Sequence, residues 1–71
     1  MVTSISGLSS TIMQALQEDD RTRGAIIDVT ASGGVVTLSG DVASEAIRMA
    51  AEEIARQQPG VVQVINELRV R

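Results

Sequence analysis

No cysteine, no histidine, no lysine and no aromatic residue occurs among these 71 residues, and proline occurs once, at Pro59. Each absence closes a class of function. Without cysteine there is neither a disulfide nor a thiolate, and without histidine the chain lacks the commonest metal ligand and the side chain that titrates nearest neutrality. Zinc-dependent and cofactor-driven chemistry therefore have no foundation here, and no cofactor is expected. The missing rings remove the stacking platforms on which single-stranded nucleic acid is held. A net charge of −3 opposes binding to any polyanion by counterion release. Nucleic acid is excluded as a partner on both counts.

What is present must build a core from Val, Ile, Leu, Met and Ala, each larger side chain contributing roughly 1.5–3 kcal/mol when fully buried. One domain spanning residues 1–71 is expected, close to the size at which a single core only just offsets chain entropy. No apolar run approaches the ~20 residues of a membrane span, and the first residues lack the basic and hydrophobic blocks of a signal peptide. A domain cut from a longer exported protein would read the same way, so location is left open.

Residues 1–4 read as a lead-in, with Ser4 or Ser6 as a helix cap. Ile5, Leu8, Ile12, Ala15 and Leu16 recur at helical spacing. The charged run Glu18-Asp19-Asp20-Arg21-Thr22-Arg23-Gly24 ends that helix. Its three carboxylates lack the alternating spacing of a calcium loop, so a solvated loop with Arg21 and Arg23 as counter-charges is expected. From Ala25 to Ala31 the alternation predicts a strand, with Ile27, Val29 and Ala31 on one face and Ile26, Asp28 and Thr30 on the other. Ser32-Gly33-Gly34 is hairpin chemistry; no lysine follows to make it a phosphate loop.

Val35 to Ser39 predicts the second strand, Val36 and Leu38 facing the core, with Gly40 ending it. Ser44 then caps a second helix whose period runs through Ile47, Ala50, Ala51 and Ile54. Glu45 and Arg56 suit its dipole, and Pro59-Gly60 stops it. Val61 to Val70 predicts a third strand with Val62, Val64, Leu68 and Val70 in one phase and Val61, Gln63, Ile65, Glu67 and Arg69 in the other. Asn66 falls in the apolar phase. An unpaired buried amide costs about 1–3 kcal/mol, so a structural hydrogen bond or a bulge is expected there.

The combination of Ala15-Leu16, Ile27-Asp28-Val29, Gly34-Val-Val-Thr-Leu-Ser-Gly40 with Val42, Ile54-Ala55, and Pro59-Gly60-Val61 followed by Val64, Asn66, Leu68 and Val70 resembles the BON domain, the bacterial osmotic-shock and nodulation module. The likeness runs over roughly residues 8–71. It implies an α+β fold of order α-β-β-α-β, a three-stranded mixed sheet in strand order 1-2-3 with two helices packed on one face. It also implies a non-catalytic module that attaches to phospholipid or cell-envelope components, in or near the periplasm, linked to osmotic or envelope stress. Gly34, Gly40, Pro59, Gly60 and Asn66 are its structural positions in this chain.

If both helices cover one face, the other is left with Ile26, Thr30, Val35, Thr37, Val61 and Ile65 among Asp28, Gln63, Glu67 and Arg69. These six are the candidate binding residues, too apolar as a set for an idle surface. Two partner classes fit: a phospholipid surface, or another protein domain, including a second copy joined through the sheet face or edge. A ligand-sensing or ion-sensing role within a larger protein is a further alternative. Asp28, Asp41, Glu52 and Glu53 do not make an enzyme, since Glu52 and Glu53 are helix neighbours pointing apart and acid–base chemistry needs a shared pocket.

Overall fold

The computed structural model describes residues 7–71. The expected lead-in, the Ser4 or Ser6 cap and Ile5 lie outside the described residues. Within them the order is α1 (Leu8–Glu18), β1 (Ile26–Ser32), β2 (Val35–Val42), α2 (Glu45–Arg56) and β3 (Gln63–Val70). The strands form one mixed sheet in the order β1-β2-β3, β1 antiparallel and β3 parallel to β2. Helix α1 packs on β1, α2 packs on β2 and β3, and the helices touch each other. This is the α+β arrangement that the sequence implies, with one covered sheet face.

The core lies between these layers. Ile12 and Leu16 of α1 meet Ile27 and Val29 of β1, Val36, Leu38 and Val42 of β2, Ala51, Ile54 and Ala55 of α2, and Leu68 of β3. Alanine supplies much of the α2 contact, which brings the helix backbone close to the sheet and offsets the lack of large rings. The two helices begin differently. Ser44 Oγ accepts from the Ile47 amide at the start of α2, whereas α1 starts at Gly7 with no side-chain cap.

The hairpin turns on Gly33 and Gly34, both with positive φ, as a two-residue turn matched to strand twist requires. Gly34 has a second reason to be glycine. A Cβ there would fall 2.7 Å from Val62 Cγ2 and 3.0 Å from the Gly60 carbonyl, where the lead-in to β3 crosses the turn.

Gly40 does not end β2. The strand runs on to Val42, with Gly40 opposite Ile27 and Asp41 opposite Ile26. Gly40 holds φ at +129°, and a Cβ would stand 2.8 Å from the Ile26 carbonyl oxygen. The residue is there for a close crossing of two strands, which a stop signal read from sequence mistakes for a terminus. Pro59 and Gly60 do lie in the turn after α2.

The third strand starts later than expected and changes phase at its entry. Val62 N–H (2.7 Å) and Gln63 N–H (3.3 Å) both donate to the Gly34 carbonyl. Two successive amides meeting one acceptor break the alternation between Val61 and the ladder. Val61 consequently packs against the core, and Val62 is 80% exposed.

Candidate functional site

The uncovered face is laid out by the strand register in four rows. Ser32, Val35 and Gln63 lie nearest the hairpin turn, then Thr30, Thr37 and Ile65, then Asp28, Ser39 and Glu67, and last Ile26, Asp41 and Arg69. Five of the six expected residues therefore share this face. Thr30, Thr37, Val35 and Ile65 adjoin near the turn, and Ile26 stands apart at the opposite end of β1, 86% exposed. The sixth does not belong to it. Val61 turns toward the core because the chain has not yet entered the β3 ladder, and its assignment to the open face is corrected accordingly.

An acidic row divides the two apolar parts. Asp28 and Glu67 flank Ser39, while Asp41 is held by Arg71 at 3.1 Å. The other cations are similarly occupied: Arg21 by Asp19 and Glu53, Arg23 by Asp20, Arg48 by Glu45, and Arg56 by Glu52. Among the described residues Arg69 alone of the six arginines has no carboxylate partner. The domain therefore presents almost no uncommitted positive charge.

The loop after α1 shows how that pairing works. Asp19 Oδ1 accepts from both the side chain (3.0 Å) and the backbone amide (2.9 Å) of Arg21, and these bonds hold its carboxyl below the ordinary 3.8. The same pair holds the Arg21 guanidinium above its usual range. Glu18 accepts from Gln14, leaving the three consecutive acids turned to three separate partners. Among the described residues no group of three or more His, Cys, Asp or Glu side chains is placed to hold a metal ion.

Asn66 is structural, through a partner the sequence did not suggest. Its Nδ2 donates to the Arg48 carbonyl (3.1 Å) and to Glu52 Oε1 (3.2 Å), and its Oδ1 accepts from the Leu68 amide (3.1 Å). It ties β3 to α2. Sequence reasoning also passed over Thr22, which is 1% exposed and donates its hydroxyl to the Leu16 carbonyl at the end of α1. A hydroxyl four residues past the end of a helix, whose last carbonyls lack partners, is the available signal.

The remaining surface offers shallow hollows. One lies over the outer side of α2 between Arg21, Met49 and Arg56, another beside Met13, Gln17 and Ile26 at the β1 edge. The first also carries Glu52 and Glu53, each held in an ion pair, with Arg56 and Arg21 respectively. No helix of the described residues is long and apolar enough to cross a membrane. The family model described as the BON domain matches residues 4–71. No curated protein matches the chain.

Proposed function

The chain belongs to the BON domain family, and from that membership we propose that it is a non-catalytic binding module, of the kind that attaches to components of the bacterial cell envelope, working through its uncovered sheet face. One observation carries this reading. The same strands that bury Val36 and Leu38 under the helices leave Thr30, Val35, Thr37 and Ile65 adjoining, with no layer above them among the described residues. A flat, β-branched patch rimmed by Asp28, Glu67 and Gln63 fits another protein domain, where apolar contact is completed by a polar rim.

A phospholipid surface is the second reading, and a different observation favours it. Ile26 projects into solvent at one end of the sheet, in the same row as Arg69. Against it stands the pairing of the other five arginines, since each uncommitted basic residue near an anionic surface contributes about 1 kcal/mol. A link to osmotic or envelope stress would follow from whichever envelope component is bound.

A photo-reactive residue at Thr37, with a control at Met49 on the outer side of α2, separates these readings in bacterial cells. Protein adducts from Thr37 and none from Met49 are expected. Lipid adducts, or strong co-sedimentation with phosphatidylglycerol vesicles at physiological salt, would move the assignment to the membrane. Equal labelling from both positions would remove the sheet face from the function.

A further inference from the structure

Charge is settled over most of this molecule and left open on one face. Of its nine Asp and Glu side chains, six are met by arginines: Asp19, Asp20, Asp41, Glu45, Glu52 and Glu53. Glu18 accepts from Gln14. That leaves Asp28 and Glu67, which no arginine of the described residues reaches. Both are exposed, and both lie in one row of the uncovered face, on either side of Ser39. Two strand spacings set their backbones about 10 Å apart, with the short Ser39 side chain between them. Arg69, the face's own uncommitted cation, stands one row further along beside Asp41 and Ile26.

The fold alone gains nothing from these two carboxylates. Neither caps a helix, and like charges in one row of a sheet repel. The row next to them has the opposite character. Thr30, Thr37 and Ile65 border it on the hairpin side, with Val35 beyond. An occupant of this face must therefore bring apolar contact and, one row away, positive charge. An anionic bilayer brings the first and is repelled by Asp28 and Glu67 on the second. A protein segment brings both.

Resting on the reading of the uncovered face as the binding surface, we infer that its occupant is a segment of another protein that lays an arginine over Ser39, between Asp28 and Glu67, and aliphatic residues over Thr30, Thr37 and Ile65. Charge complementarity selects this partner. Arginine suits the position better than lysine, because its planar guanidinium carries donors on separate edges and serves a carboxylate on each side, whereas an ammonium is a compact point charge. The aliphatic stem of the arginine covers apolar surface on its way to the acidic row. A second copy of this chain is a poor source of the group. It has no lysine, and five of its six arginines are already held by carboxylates.

A photo-reactive residue at Thr37 in bacterial cells, followed by mass spectrometry of the crosslinked peptide, tests this on the full chain. The captured segment is expected to carry an arginine among aliphatic residues. Asp28→Asn with Glu67→Gln is expected to lower the adduct yield about tenfold. Asp20→Asn with Glu45→Gln, the same change in net charge away from the face, should leave it as it is. A synthetic peptide of the captured sequence, titrated against the unaltered chain, should bind about tenfold more tightly than its copy with citrulline in place of arginine, and the advantage should shrink as salt rises. Protein adducts that survive the loss of both carboxylates, or a citrulline peptide that binds equally well, would overturn the inference and leave the uncovered face standing as the binding surface. Lipid adducts would overturn it in favour of the membrane, and the absence of any adduct from Thr37 would remove the face and the inference together. Thermal unfolding checks that each variant is folded, and the citrulline comparison on the unaltered chain decides the matter if Asp28→Asn with Glu67→Gln unfolds.

Discussion

The two faces of this sheet are built from the same three strands, and they differ only in which alternate residue is counted. Beneath the helices Val36 and Leu38 are fully buried and Ile27, Val29 and Leu68 nearly so. On the other side Thr30, Thr37, Ser39 and Ile65 meet no second layer among the described residues. A side chain of one chemistry, isoleucine, is structural at position 27 and available at position 26. What separates the faces is therefore position in the pleat rather than hydrophobicity, and a binding surface here is legible only once the phase of each strand is known.

The sharpest way to test that contrast is to cut into the covered face. Leu38→Ala removes a fully buried side chain between β1, β3 and the helices, and a core with no aromatic ring has little to refill the space. A loss of about 2–5 kcal/mol is expected. Its neighbour Thr37, on the uncovered face, should cost no more than about 0.5 kcal/mol when changed to alanine. Urea unfolding of both variants reads the difference directly; comparable losses would mean the faces are not distinct.

Gly40 belongs to neither face alone, because a side chain there would meet the backbone of β1. Gly40→Ala puts a methyl 2.8 Å from the Ile26 carbonyl and forces a side chain into φ +129°. A cost of about 1–3 kcal/mol is expected from the strained conformation. The shift should spread to Ile26 and Asp41, its neighbours in the register, and be visible as changed amide resonances there while Thr30 and Thr37 stay put.

Much of this contrast could be read from the residues, and the exceptions have identifiable causes. The alternation in Ala25 to Ala31 and Val35 to Ser39, the glycine pair and the Ser44 cap specify hairpin and second helix locally, with no distant partner needed. The phase of Val61 and Val62 could not be read, because it is set by the Gly34 carbonyl, which accepts from two consecutive amides. The hydrogen-bond partners of Asn66 cannot be read locally, because they lie on α2, 18 and 14 residues earlier in the chain. Gly40 was read as a terminus since the sequence does not show what lies 2.8 Å away. The committed state of the arginines was hidden for the same reason: a salt bridge such as Arg21 to Glu53 joins segments that only the fold brings together.

Arg21 also pairs with Asp19, and it is that pair which predicts a pH effect. The Asp19 carboxyl is held below 3.8 by hydrogen bonds from Arg21, so the folded state keeps it ionised at a pH where the unfolded chain takes up a proton. Its stabilising contribution is present above 3.8 and is lost as pH falls through the lower folded value. The group is exposed, so the effect is small and screened by salt. Arg21→Gln is expected to flatten the acid limb of the stability curve between about pH 5 and pH 2, measured by urea midpoint at low ionic strength. An unchanged limb would show that the loop is held by the Thr22 hydroxyl and its backbone bonds instead.

One change with a modest expected effect on stability matters most for function. Ile26→Ser together with Ile65→Ser removes both isoleucines of the uncovered face; Ile26, 86% exposed, should cost no more than about 0.5 kcal/mol, and Ile65, 37% exposed, about 1 kcal/mol. Crosslinking from Thr37 should nevertheless fall sharply, because the two isoleucines that stand on either side of the Asp28, Ser39 and Glu67 row are gone. A fold that survives while the contact is lost makes the uncovered face a binding surface in the strict sense. A fold that collapses would place those two side chains in a core, and the distinction between the faces would have to be drawn elsewhere.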